Sequence, residues 1–373
     1  MKIELIDLIE IRLPLVRPFR TSCGTDTERH TFLLHVVTDA AEGWAEFGGD
    51  PGPVYSSEFA ANAERVLRDH LVPRVTALHR PSAARIAAAM SPIKGHRMAK
   101  ALLETAVLDA ECRAHAMPLA TYLGAVRDRV PAGVSVGIMD TIAELLESVS
   151  AYLEQGYVRI KLKIEPGWDI EPVRAVRREF GDELALQVDA NAAYSLADAE
   201  HLRRLDEFGL VQIEQPLDED DLRGHIELSK LLRTPICLDE SIRSAREAAA
   251  AIGLGACRII NIKPSRVGGY LEARRIHDVC AAHGIPVWCG GMLETGIGRA
   301  QNLALAALPG FVLPSDISAS SRYYTEDLTD AFQLDNGCLP VPDQPGSGVT
   351  VLPAALGRYA VSTRKLYERG SAR

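Results

Sequence analysis

Closely spaced cysteine pairs are missing from this sequence. Its seven cysteines are scattered and include no Cys-x-x-Cys motif, which argues against a disulfide framework and against a cysteine zinc site. Long apolar runs are missing too, since no stretch reaches the roughly 18 residues that a membrane-spanning helix needs. The first residues, MKIELIDLIEIRLPL, mix acids with apolar residues, unlike the core of a signal peptide. We therefore expect a cytoplasmic protein without a membrane partner.

Positive charge is in short supply. Lysine and arginine number 41 against 50 aspartates and glutamates, a formal net charge of -9, and no basic cluster marks a nucleic-acid footprint. Hydrophobic residues make up 47% and charged residues 24% of the chain, as in ordinary globular proteins. A length of 373 residues allows about two domains, at roughly 150 residues for each. We expect a small-molecule partner and no nucleic acid.

Residues 1–125 are predicted to form an α+β unit. Alternating apolar and polar residues indicate strands, and longer apolar periodicities indicate helices. The predicted strands cover 3–13, 31–39 and 42–47, and the predicted helices cover 56–70, 82–90 and 96–115. Residues 325–373 contain a Pro-rich run and a helix-like end. Their periodicity is too weak for a separate domain, so we expect them to pack back onto the first unit.

Residues 126–324 alternate short apolar runs with amphipathic helical segments. Eight runs recur at intervals of about 25 residues, the length of one βα unit, and this alternation predicts a parallel sheet. The runs are 133–138, 158–164, 185–190, 210–214, 235–239, 258–263, 286–290 and 311–316. Eight units favour a (β/α)₈ barrel. An open doubly wound sheet is the alternative, but no run is followed by a Gly-x-Gly-x-x-Gly phosphate loop.

Three acidic residues end three successive strands of this predicted barrel. Asp189, Glu214 and Asp239 lie two steps of 25 residues apart, so they occupy equivalent positions at the C-terminal ends, where barrel active sites lie. A single acid at such a place is more often a helix N-cap, but three acids in register favour a shared metal site. Gathered carboxylates repel one another unless a cation joins them. Oxygen ligands without His or Cys favour Mg²⁺, or Mn²⁺, over Zn²⁺.

Two lysines are predicted to flank this triad. Lys163 lies on the second barrel strand and Lys263 ends the sixth, so in a ring of eight strands the two amines should face each other across the mouth. A carboxylate substrate on the metal would hold its α-carbon between two bases. A base must be neutral, which requires a lysine pKa well below its usual value of about 10.4. Desolvation and the nearby cations, which are the metal, Lys161 and Arg266, should lower it, while Lys161 stays charged against the substrate carboxylate.

These residues resemble a known family. The pattern of charged residues on successive strands resembles that of the muconate-lactonizing subgroup of the enolase superfamily. It consists of Lys161-x-Lys163, Asp189, Glu214, Asp239-Glu240 and Lys263. Three longer motifs resemble the N-acylamino acid racemase / o-succinylbenzoate synthase family: VSVGI at 134–138, KPSRVGG at 263–269 and WCGGMLETGIGRA at 288–300. The resemblance covers nearly the whole chain, and the last motif is its most specific part.

The resemblance implies a fold and an activity. The fold is a modified (β/α)₈ TIM barrel of the α/β class with an N-terminal α+β capping domain that the C-terminal tail completes. The activity is Mg²⁺-dependent racemisation of N-acylamino acids, N-succinylamino acids by preference, by two-lysine 1,1-proton transfer through an enediolate. Dehydration to o-succinylbenzoate is one alternative and dipeptide epimerisation another, although residues 314–317 echo only part of the epimerase motif. A homo-oligomer is expected by analogy.

The resemblance also implies roles for individual residues. The metal ligands would be Asp189, Glu214 and Asp239, and the acid/base residues Lys163 and Lys263. The substrate-binding residues would be Lys161, Ser135, Arg266, Gly291, Met292, Leu293, Phe19, Ser22, Cys23, Asp50 and Tyr55. Capping-domain residues among these should close over the distal end of the substrate and exclude water. Cys23 and Asp50 stand where the family usually has bulky apolar residues, which affects substrate preference and not the chemistry.

Overall fold

The computed structural model describes residues 1–371 and contains two packed units, one built on an antiparallel sheet and one on a parallel sheet. The strands are β1 (Ile3–Thr21), β2 (Gly24–Thr38), β3 (Glu42–Glu46), β4 (Arg129–Pro131), β5 (Gly133–Val136), β6 (Arg159–Lys163), β7 (Leu186–Asp189), β8 (Ile213–Glu214), β9 (Ile236–Leu238), β10 (Ile259–Ile262), β11 (Val287–Cys289), β12 (Cys338–Pro340) and β13 (Ala360–Glu368).

The helices follow the predicted alternation. They are α1 (Ala60–Val66), α2 (Val72–Thr76), α3 (Ala83–Met90), α4 (Arg97–Ala114), α5 (Leu119–Leu123), α6 (Ile142–Glu154), α7 (Ile170–Phe180), α8 (Ala199–Leu202), α9 (Leu222–Leu231), α10 (Ala245–Gly253), α11 (Pro264–Val267), α12 (Tyr270–Ala282), α13 (Gly296–Ala306) and α14 (Pro353–Tyr359). A π-helical turn, Leu67–Leu71, joins α1 to α2. Short 3₁₀ turns cover Leu196–Asp198, Arg203–Phe208 and Ser320–Arg322.

The capping unit is a four-stranded sheet in the order β13-β1-β2-β3, covered by helices of which α4 is the most buried. Strand β1 is longer than predicted. It continues past Pro14 with a register shift before Phe19, because a proline lacks the N–H that a continuous ladder needs. The predicted helix-like end of the chain is wrong in part. Helix α14 is present, but the last element is β13, which pairs antiparallel with β1.

The second unit confirms the expected barrel-like fold. Its seven parallel strands follow one another in chain order from β5 to β11, with helices between them as predicted for βα units. The eighth predicted strand, 311–316, is not a regular strand. Its segment bridges β11 at Phe311 and the chain before β5 at Ser315, so it joins both edges of the sheet. Pro309 and Pro314 flank and interrupt it, and neither can donate a ladder hydrogen bond.

Each unit has its own apolar core. The capping core lies between the antiparallel sheet and α4, and the barrel core lies between the parallel strands and their surrounding helices. Residues without exposed surface include Ile6, Leu8, Leu34, Leu103 and Val107 in the cap, and Val134, Val188, Ile213, Leu238 and Ile260 in the barrel. None of the helices within residues 1–371 is long and apolar enough to cross a membrane.

Candidate active site

The strand register lines up the predicted charged residues at one end of the barrel. Lys163 on β6 lies opposite Asp189 on β7, and Asp189 lies opposite Glu214 on β8. Asp239 directly follows β9, and Lys263 directly follows β10. Because β6 to β10 are consecutive in the sheet, the three carboxylates form a row with Lys163 at one end and Lys263 at the other.

The carboxylates in this row are buried and paired with lysines. Asp189, Glu214 and Asp239 are at most 1% exposed. The Nζ atom of Lys161 lies 3.1 Å from Asp189 Oδ2 and 2.9 Å from Glu214 Oε2. The Nζ atom of Lys263 lies 2.8 Å from Asp239 Oδ2. Positive charge therefore reaches each carboxylate through an ammonium group.

Lys163 is held from the side of β7. Its Nζ atom donates to Asp189 Oδ2 at 2.7 Å and to Asn191 Oδ1 at 2.6 Å. Asn191, which the sequence analysis did not single out, also donates from Nδ2 to Glu240 Oε1 at 2.9 Å. Lys163 is thus fixed by two side chains from the next strand and its loop.

The donor chemistry of the row fits a hard divalent cation. Three carboxylates without a nitrogen or sulfur ligand are the set that Mg²⁺ or Mn²⁺ prefers, and buried carboxylates on adjacent strand ends need a shared positive charge. As described, residues 1–371 contain no group of three or more acidic, His or Cys side chains already converging on one point. The residue types and positions suit the ion, and the Lys161 ammonium already bridges two of the three carboxylates.

Burial and like charge act on the pKa values of the row. Burial, with the neighbouring charge of Asp189, raises the pKa of Glu214 to about 8 although Lys161 opposes the shift. Burial alone would also raise the pKa of Asp189, but Lys163 and Lys161 outweigh it and hold that pKa well below its usual range. The two carboxyls are adjacent, and the positive charge is shared unequally between them.

The charged groups around Lys263 shift its pKa in the direction opposite to burial. Burial favours the neutral amine, but Asp239 and Tyr55 beside it raise the pKa of Lys263 well above its usual value. Lys161 behaves the same way, because Asp316 and Glu214 outweigh the effect of burial. Carboxylate partners at hydrogen-bond distance thus dominate over desolvation and over the nearby cations.

A cavity of about 240 Å³ lies between the capping loops and the barrel mouth. Both predicted bases face it, and so do most of the predicted substrate contacts. The predicted residues that line it are Phe19, Cys23, Asp50, Tyr55, Ser135, Lys161, Lys163, Lys263, Gly291, Met292 and Leu293. The cavity is therefore enclosed on one side by the β1–β2 turn and the loop after β3, and on the other by the barrel.

Two predicted contacts do not line this cavity. Ser22 donates from its hydroxyl to the carbonyl of Ala190, at 3.1 Å, so it ties the β1–β2 turn to the loop that follows Asp189. Arg266 lies behind the wall, where its guanidinium is 2.5 Å from Asp239 Oδ1 and 3.2 Å from the hydroxyl of Tyr55. Both side chains therefore make their polar contacts with protein atoms.

Several lining residues escaped sequence reasoning, and Asp316 is the most prominent. It is paired with Arg159 at 2.7 Å and with Lys161 at 2.6 Å, and it accepts a hydrogen bond from Ser135 at 3.0 Å. Its position at the end of the eighth predicted run was a usable signal. Asp26, at the beginning of β2, and Tyr323, in an irregular segment, also line the cavity, but no periodicity in the sequence reveals that they approach it.

Comparison with known proteins shows which family this chain matches. Residues 6–124 match the family described as mandelate racemase / muconate lactonizing enzyme, N-terminal domain, and residues 144–355 match the one described as enolase C-terminal domain-like. An N-succinylamino acid racemase of Amycolatopsis sp. is 60% identical over 98% of this chain and 99% of that protein. An o-succinylbenzoate synthase of Geobacillus stearothermophilus is 46% identical over 100% of both. A crystal structure of an enolase superfamily member from Listeria innocua superposes with a TM-score of 0.94 at 41% identity, covering 98% of this chain and 99% of that one.

Proposed function

Since this chain belongs to the mandelate racemase / muconate lactonizing enzyme family of the enolase superfamily, we propose that it racemises N-acylamino acids, with N-succinylamino acids preferred. The observation that carries the proposal is the pair of lysines at opposite ends of one carboxylate row. Lys163 and Lys263 both line the same cavity, and they stand on strands four apart in the sheet. Racemisation needs one base on each face of the α-carbon.

In the proposed reaction one lysine removes the α-proton and the other returns a proton to the opposite face. Lys163 and Lys263 exchange these roles according to the enantiomer that binds. Lys161, held by Asp316 and Glu214 at the cavity wall, offers its ammonium to the substrate carboxylate. A fixed positive charge at that place favours the negative charge that develops when the α-proton leaves.

Asp189, Glu214 and Asp239 are the residues proposed to hold the divalent ion of the family, with Mg²⁺ as the natural choice for three carboxylates. When bound, the ion would add positive charge beside the substrate carboxylate and so acidify the α-carbon. The lysines beside these carboxylates line the same cavity and so face the substrate.

The end of the cavity that the capping loops line is where the acyl group of the substrate would lie. Asp26 and Asp50 line it, and Arg29, nearly fully buried, lies 3.7 Å from Asp50. Those acids would repel a succinyl carboxylate that reaches this end, so the succinyl preference rests on the relatives named N-succinylamino acid racemase and not on this lining. The preference for succinyl is therefore to be tested by comparing an N-succinylamino acid with the same amino acid carrying a neutral acyl group.

The direct test follows α-proton exchange in D₂O. Each enantiomer of one N-succinylamino acid and its N-acetyl analogue is incubated with enzyme and Mg²⁺, and NMR and chiral chromatography report exchange and inversion. We expect exchange and inversion from both enantiomers, and loss of inversion in Lys163→Ala and in Lys263→Ala. Absence of α-exchange for a panel of amino acids, in an enzyme that dehydrates the o-succinylbenzoate precursor, would overturn the racemase proposal.

That dehydration is the second candidate function. Whole-chain relatives at 46% and 44% identity are named o-succinylbenzoate synthase, and one lysine of the pair suffices as acid/base there while the other stays a cation. Dipeptide epimerisation has less support, because the eighth-segment carboxylate Asp316 is already paired with Arg159 and Lys161 and is not free for a substrate ammonium.

We further propose that three successive segments of the chain have different roles. Residues 1–125 form the lid, residues 126–324 carry the chemistry, and the segment 325–373, of which the structure describes 325–371, completes the lid. The matched ranges of the two family domains support the first boundary, and the pairing of β13 with β1 supports the assignment of the tail.

A further inference from the structure

The segment that carries Lys263 is built against the capping unit. Helix α11 begins directly after Lys263 and ends at Val267, and Gly268 and Gly269 connect it to α12. Both glycines have positive φ, 106° and 122°, which other residues rarely adopt. A Cβ on Gly48, in the loop after β3, would lie 2.3 Å from the hydroxyl of Ser265, so α11 and the cap are in close contact.

Glu104 of α4 joins the cap to the beginning of α12. This side chain is 1% exposed. Its Oε2 accepts from the backbone N–H of Tyr270 at 3.1 Å, and its Oε1 accepts from that of Leu271 at 3.0 Å. These are the first N–H groups of α12, which have no partner within the helix, and a carboxylate there is also favoured by the helix dipole.

The turn before α12 is shaped around this carboxylate. A Cβ at Gly269 would lie 2.4 Å from Glu104 Oε2, closer than any real side chain approaches. Thr105 adds a weaker hydrogen bond to the same oxygen at 3.4 Å. A residue of the cap therefore determines where the chain leaves the Lys263 loop and enters the next barrel helix.

Lys163 has no comparable dependence on the cap helix. It lies within β6, which is paired with β5 on one side and β7 on the other, and its amine is held by Asp189 and Asn191. The two proposed bases thus differ in what positions them: Lys163 is held by barrel residues alone, whereas Lys263, although paired with Asp239 of the barrel, leads into a loop that Glu104 holds from the cap.

We propose that Glu104 is a positioning residue for Lys263: by capping α12 from the capping domain, it sets the loop on which this amine approaches the substrate. The inference rests on the proposed two-lysine function. Displacement of a reacting group by about 1 Å can cost on the order of 100-fold in rate, so a shift of this loop slows one face of the reaction and leaves the other unchanged.

The test measures exchange with retention of configuration, separately for each enantiomer, in D₂O with Mg²⁺. Retention reports the base on one face only, because inversion needs both. Wild type, Glu104→Gln and Glu104→Ala are compared, and Lys263→Ala identifies the enantiomer that depends on Lys263. Glu111→Gln is the matched control, since this residue of α4 also caps a helix, accepting from the N–H of Ala83 at 2.7 Å, but within the cap.

We expect Glu104→Gln to slow retentive exchange at least about tenfold for the enantiomer that faces Lys263 and less than about twofold for the other, with Glu104→Ala more severe. Glu111→Gln should change both equally or neither. Equal slowing of both enantiomers by a folded Glu104→Gln enzyme, or no slowing, overturns the positioning role. Should wild type exchange neither enantiomer, the proposed function fails instead. If Glu104→Gln does not fold, Glu104→Asp supplies the same comparison.

Discussion

Substituting Glu104 by Gln should change how stability depends on pH. Burial raises the pKa of Glu104 to about 7, from an ordinary value of 4.5, against the opposing hydrogen bonds from the N–H groups of Leu271 and Tyr270. A carboxyl group whose pKa is raised on folding binds its proton more tightly in the folded state. The unfolded chain therefore holds fewer protons in this window, and stability falls as pH rises from about 4.5 to 7.

The size of this effect follows from the shift. At about 1.36 kcal/mol for each pKa unit, a rise from 4.5 to about 7 corresponds to about 3 kcal/mol, of which about 2.5 kcal/mol develops between pH 5 and pH 8. Gln does not titrate, so the free energy of unfolding of Glu104→Gln should lose this component while all other titrating groups remain common to both proteins.

Urea unfolding of both proteins at intervals between pH 5 and pH 8 measures the difference. We expect wild type to lose about 2 to 3 kcal/mol relative to Glu104→Gln across that range, after any pH-independent offset from the lost carboxylate acceptor is subtracted. Curves that run parallel would mean that Glu104 does not take up a proton in this window, and the reasoning from its burial would be wrong.

Other changes test the packing and the site. Arg159→Met removes one ion-pair partner of the buried Asp316 and should cost about 3–5 kcal/mol of unfolding free energy; a cost below 1 kcal/mol would contradict it. Gly43→Ala places a Cβ 2.1 Å from the carbonyl of Ala106 and should lower stability by about 1–3 kcal/mol, whereas Gly357→Ala on α14, with open space around it, should hold or raise it. Chelation of divalent ions should abolish racemisation, and Mg²⁺ should restore it, as followed by optical rotation; activity that persists in chelator would refute the metal assignment.

The charged row was predictable because it depends on a repeat. Each βα unit has nearly the same length, so Asp189, Glu214 and Asp239 recur at the same place on neighbouring strands, and the register confirms that β7 and β8 align the first two. The lysines follow from the same repeat. Their partners do not, because the hydrogen bond of Lys263 to Tyr55 joins residues 208 positions apart in the chain.

The remaining differences have local causes. The eighth run has the apolar composition of a strand, but Pro314 interrupts its ladder and Pro309 precedes it, so only isolated bridges form. Strand β13 is half exposed along its length, which leaves a weak apolar alternation, and its pairing partner lies at the other end of the chain. Arg266 and Ser22 reach protein atoms instead of the cavity, since only tertiary structure determines which side of a wall a side chain occupies.

The sheet of the cap is assembled from both ends of the polypeptide. Strand β13 supplies its outer edge beside β1, yet the ribosome makes β13 only after the whole barrel. A nascent cap therefore carries β1 with one row of backbone donors and acceptors open, a state in which edges recruit other strands. We expect the cap to complete its folding last during synthesis. Removal of residues 360–371 should lower the yield of folded protein more than it lowers the activity of the protein that does fold.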